Sequence, residues 1–163
     1  MEEKYSHAIK AGVIGGVLFI IISVISLAGD LLDINAIKLA IGCLVLLLAI
    51  IIAAGTGALA VRFARSSLLN MTDALVVAGA AGLIAGVIYA VMRVIVGFLN
   101  AIMVRKEVND IISSYGLPSS YANYSFLSGW AGQCCCAPFV IIAVIIVAVI
   151  GGALYAALIA KIP

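Results

Sequence analysis

Charge is the scarcest thing in this chain. Of 163 residues only 10% are Asp, Glu, Lys or Arg, and the acidic and basic residues nearly cancel to a net +2. Ordinary soluble domains carry about 25% charged residues. A net charge this small is too little to imply a nucleic-acid partner, and none is expected. There is one histidine, His7, and no partner motif stands near it. No Ser-His-Asp order, no phosphate-cradling glycine loop and no paired carboxylate within an apolar run can be found, so the expectation is a protein that is not an enzyme and has no cofactor. The four cysteines are Cys43 and the adjacent Cys134, Cys135 and Cys136. None has the spacing of a zinc site or a C-x-x-C redox pair, and neighbours in one helix cannot converge on a metal, so no metal site is expected. Three prolines leave long stretches without a helix breaker.

What is abundant is apolar surface. Hydrophobic residues make up 66% of the chain, and mean hydropathy is +1.35. A water-soluble domain of about 150 residues still exposes roughly 30% of its unfolded surface, so this composition requires a lipid bilayer as the partner. Inside lipid every backbone polar group needs an internal partner, which leaves helices or closed barrels. The Ile/Leu/Val/Ala runs do not alternate, so they read as helices. The predicted fold is an all-α membrane protein with four transmembrane helices. The spans are about 11–28, 36–61, 74–104 and 138–160, the last opening on Pro138 as a first helical residue. Ser26-Leu27-Ala28 has the form of a cleavage site, but the apolar run before it exceeds the 7–15 residues of a signal peptide. The first segment therefore reads as a span.

Two phrases repeat. AGVIGGVLF at 11–19 and AGLIAGVIY at 81–89 share five of nine positions, 70 residues apart. GTGALAV at 55–61 is echoed by IGGALYA at 150–156. The expected organisation is a single domain, 1–163, of two hairpins repeated in the same sense, 1–69 and 70–163, related by an axis along the membrane normal. Small residues let helices approach closely in lipid. Gly12 and Gly16, and Gly82 and Gly86, are spaced by four and share a face, so the first and third helices are expected to cross through them. The stretch of about 105–137 is predicted to be an ordered, interfacial outer loop. Its Tyr115, Tyr121, Tyr124 and Trp130 suit the lipid–water boundary.

Arg93 lies on the same face as Gly82 and Gly86. One reading has its side chain snorkelling to the nearer headgroups. A second has it as an ion pair with Asp30, or with Asp33 just beyond, at the outer end of the bundle, or as an anion or lipid-headgroup site. Lys4, Lys10, Arg62, Arg65 and Lys161 fall on one side of the spans, and Lys38, Arg105 and Lys106 on the other. The larger basic set belongs in the cytoplasm. The expected location is thus a plasma membrane, crossed several times, with both termini cytoplasmic.

GTGALAVRFARSS, then MTDALVVAGAAGLIAG, and later CCCAP, resemble phrases in small glycine-rich four-helix membrane proteins of archaea and bacteria, a domain of unknown function. The resemblance implies the four-helix fold and a prokaryotic plasma membrane, and transfers no activity. The functional expectation is a structural or interaction bundle that self-associates as a homo-oligomer or joins a larger membrane complex. The alternative is a small transporter or channel using Arg93 on the small-residue face.

Overall fold

The computed structural model describes the backbone of residues 2–30, 35–68, 70–114 and 120–160, and side chains over 5–28, 39–66, 68, 70–103, 131–132 and 134–160. Four helices account for nearly all of it, and no strand occurs among the described residues. They are α1 (Glu2–Asp30), α2 (Asn35–Ala64), α3 (Met71–Ser114) and α4 (Ser120–Tyr155). A single 3₁₀ turn, Arg65–Ser67, follows α2, and a π-turn, Ala156–Ala160, closes α4. Each helix contains a segment long and apolar enough to cross a membrane: Tyr5–Ala28, Leu39–Ala64, Met71–Met103 and Cys134–Ala160. The chain thus has the build of a multi-pass membrane protein. Helix α3 starts where Asn70 offers its carbonyl to the amides of Asp73 and Ala74. Asp73 in the first turn complements the positive end of the helix dipole.

The stretch expected as an outer loop is mostly helical. Helix α3 continues to Ser114 and α4 begins at Ser120, so only 115–119 separates them, and these five lie outside the described residues. Pro138 accordingly sits inside α4 and not at its start. Its missing N–H leaves the Cys134 carbonyl without its helical donor, a loss membrane helices tolerate. The Ser/Tyr/Asn composition that suggested a cap is equally that of a helix standing in water beyond the bilayer.

The bundle runs up, down, up, down. Ala8 and Ala11 of α1 cluster with Ala60 and Ala64 of α2, and Phe19 with Ala53, so these helices are antiparallel. Ala74 and Ala78 of α3 meet Ala156 after α4, which makes the second hairpin antiparallel as well. Helices α1 and α3 are parallel: Gly12 meets Ala81 and Ile84, and Gly16 meets Ile88. The start of α1, the end of α2, the start of α3 and the end of α4 therefore share one end of the bundle.

Around the bundle the order is α1, α2, α4, α3. Helices α2 and α3 touch across the short diagonal, whereas α1 and α4 barely meet among the described residues. A two-fold axis along the membrane normal, exchanging α1 with α3 and α2 with α4, would make those two diagonals equal. The expected axis is therefore not the arrangement observed: the hairpins lie side by side, with like helices neighbouring.

Glycine carries all four neighbour contacts. Gly12 and Gly16 fix α1 on α3, Gly15 meets Thr56 of α2, Gly82 and Gly86 meet Ala148, Ile145 and Ile141 of α4, and Gly57 and Gly151 bring α2 and α4 backbones together. The glycines of the two repeated phrases do not face one another as expected. Those of α1 look toward α3, and those of α3 look toward α4. The buried core between them is mostly alanine, with Phe19 its largest fully buried side chain. This is packing by close approach, which suits a solvent that supplies no hydrophobic drive between helices.

Candidate functional site

Polar groups inside this bundle are few, and most are already engaged. Ser23 and Thr56 are the buried polar residues among those described. Ser23 donates its hydroxyl to the Phe19 carbonyl at 2.8 Å, and Thr56 to the Ile52 carbonyl at 2.7 Å. Each bond stays within its own helix, four residues back, so the one donor of each hydroxyl is already used there.

Arg93 is different. The repeated phrases end in Phe19 and Tyr89, and these two rings stack on one another, centroids 4.5 Å apart and planes 24° from parallel. Arg93 lies one turn further along α3, and its guanidinium carbon stands 5.9 Å from the Tyr89 ring centroid. Helical side chains lean toward the N-terminus of their helix, and Arg93 follows that rule. Its charge is drawn back over Tyr89, away from the Met103 end of the span. It does not take the outward path that snorkelling to the nearer surface requires. Among the described residues no carboxylate pairs with it.

Arg93 opens onto a lateral groove of about 230 Å³ between α2 and α4. Leu46, Ala49 and Ala53 form one wall, and Val140, Val144 and Val147 the other. Tyr89 and Arg93 of α3 complete the lining. Leu46 is 63% exposed and Ile50 beside it 47%, so the groove faces sideways, toward lipid. A second furrow, about 330 Å³, runs between α3 and α4 past Val87, Val91, Ile95 and Ile141. It offers no charged side chain to orient a ligand.

The remaining expected site residues are placed as follows. Asp30 ends α1, Tyr121, Tyr124 and Trp130 lie in the first part of α4, and the side chains of all four are outside the described residues, as is Tyr115 altogether. The Asp30 backbone stands about 10 Å beyond the Ser23 level at 1.5 Å per residue, and Ser23 is level with Arg93. Cys43, Cys134, Cys135 and Cys136 are all free and exposed. Among the described residues no three His, Cys, Asp or Glu come together as a metal site would need. The aromatic stack and the groove escaped the sequence reading. The signal for the stack was present, since each copy of the phrase ends in an aromatic residue.

Fold and site define a class: a four-helix membrane bundle with a solid, small-residue core and one cation facing a lateral groove. Comparison with family models, with curated proteins and with solved structures gives no match for this chain.

Proposed function

We propose that this chain is a non-catalytic interaction bundle, which self-associates or builds into a larger complex of a prokaryotic plasma membrane. One observation carries the reading. Among the described residues no polar path runs through the interior: the two buried hydroxyls donate back to their own helices, and the space between helices is filled largely by alanine and glycine. Ion routes need several unengaged polar groups along the bundle, so the channel alternative lacks its lining. Helices α2 and α4, only 17% buried over their apolar windows, against 39% and 44% for α1 and α3, offer the outer faces on which other helices would dock.

The test is extraction in a mild detergent followed by mass measurement and proteomics of the intact particle. A protein mass above the 16.8 kDa of one chain, made of copies or of defined membrane subunits, supports association. A strictly monomeric particle after gentle extraction from native membranes removes it. Liposomes containing the purified chain are expected to show no ion conductance above that of empty vesicles.

A further inference from the structure

We propose that the groove between α2 and α4 binds a single-chain anionic amphiphile, a long-chain carboxylate, with its head on Arg93 and its chain between Ala49 and Ala53 on one side and Val144 and Val147 on the other. This goes beyond the association reading and does not depend on it.

The argument begins with a missing counter-charge. The four apolar windows contain a single acidic residue, Asp73. It lies at the opposite end of α3, about 30 Å from Arg93 along the helix axis. Arg93 is level with Ser23, about 8 Å inside the Ala28 end of the α1 window. A guanidinium at that depth costs several kcal/mol unless it is paired or hydrated. The ring of Tyr89 covers one face of it, and a cation–π contact leaves the five N–H donors to find oxygen elsewhere. Among the described residues none accepts from it. No described residue supplies the anion, and the groove gives one from outside the chain a way to reach the guanidinium.

Groove shape and depth choose among anions. Its volume exceeds the roughly 150 Å³ of an apolar cavity that holds benzene, and its walls extend over about 10 Å of helix. That space takes the head-proximal part of one alkyl chain, the remainder of which runs on along the lipid-exposed surface of α2 and α4. A docking helix is about 10 Å across with side chains and would lie over the groove without filling it. A two-chain phospholipid would have to drag its bulkier headgroup about 10 Å below the ends of the apolar windows of α2 and α4, since Leu46 and Val140 lie that far inside them. A carboxylate is the most compact anionic head an apolar chain can carry, and Arg offers it two parallel hydrogen bonds.

The full chain in nanodiscs of phosphatidylcholine, titrated with radiolabelled palmitate, provides the test. Saturable binding of one palmitate per chain is expected. Arg93→Gln should weaken it at least tenfold, and Arg93→Lys should weaken it less. Ala143→Leu, which narrows the groove from an exposed position without touching Arg93, should also weaken it at least tenfold. Methyl palmitate in tenfold excess should fail to displace the acid. Equal binding by Arg93→Gln, by Ala143→Leu, or of the methyl ester would overturn the proposal. So would a photo-crosslinker at position 46 that captures a polypeptide from native membranes instead of lipid. Helical circular dichroism and a single elution peak exclude misfolding, and the ester competition on the unaltered chain decides the matter if Arg93→Gln does not fold.

Discussion

At the scale of single residues, glycine has two different jobs in this chain, and substitution separates them. A methyl group at Gly57 would fall on the Ala148 carbonyl, and one at Gly151 on the Ala54 backbone. Neither neighbour is a flexible side chain that can swing away. Gly57→Ala and Gly151→Ala should each destabilise by about 1–3 kcal/mol, the range for overpacking a tight interior, read as a lower midpoint in SDS titration of mixed micelles. Gly42 and Gly55 have open space where a Cβ would go. Gly42→Ala and Gly55→Ala should be neutral or stabilise by about 0.5–1 kcal/mol, because alanine loses less backbone freedom. The same titration tests the aromatic stack. Tyr89→Phe keeps a ring between Phe19 and Arg93, so its midpoint should match the parent. Tyr89→Leu removes both ring contacts and should cost about 1–2 kcal/mol beyond lost area.

At the scale of helices, interfaces rest on pairs, and pairs are testable as cycles. Gly15 of α1 sits against the Thr56 side chain of α2, where an added methyl group would collide with Oγ1 and Cγ2. Gly15→Ala alone should destabilise. Thr56→Ala alone should also destabilise, through the small cavity its buried methyl group leaves; its hydroxyl bonds only to the Ile52 carbonyl of the same helix. Together they should recover about 1 kcal/mol relative to additivity, within the range for residues in contact. Additive behaviour in a double-mutant cycle would mean that α1 and α2 do not meet there. The four spans themselves were legible from sequence, because about 20 apolar residues are needed to cross the hydrocarbon and little else in a chain has that length. Their continuations were not. Hydropathy falls once α3 passes Met103, and a polar helix in water and a polar loop then look alike. The choice of partner was also hidden. Gly12 and Gly16 share a face by spacing alone, but Gly15 lies between them on another, and spacing does not say which neighbour each face meets. Nor does a repeated phrase specify whether its copies touch through glycine or, as here, through the terminal Phe19 and Tyr89.

For the whole molecule, the fold fixes relative direction and leaves the side of the membrane to charge. Both hairpins return to one end of the bundle, where Ala8 clusters with Ala64 and Ala74 with Ala156. Any reporter fused to either terminus must therefore give the same answer. In sequence Lys4, Lys10, Arg62 and Arg65 border the helix ends that meet there, and Lys161 follows the last of them, so we predict from the positive-inside rule that this end faces the cytoplasm. Cysteine then reports from the other side. Cys134, Cys135 and Cys136 are exposed partway along α4, where its apolar window begins and farthest within that window from the shared end. A thiol reacts as thiolate and needs water, and the far surface supplies it there. Cys43 is also exposed, but it lies about 6 Å inside the Leu39 end of its window, facing hydrocarbon, which a water-soluble reagent does not enter. A membrane-impermeant maleimide added to intact cells should label single-cysteine variants at 134–136 and spare one at 43, which reacts only after detergent. A fluorescent protein fused to the C-terminus, active only in the cytoplasm, should glow. Labelling confined to opened cells, together with a dark fusion, would turn the bundle over in the membrane. Every helix contact would then stand, and the weak charge bias, not the fold, would be what failed.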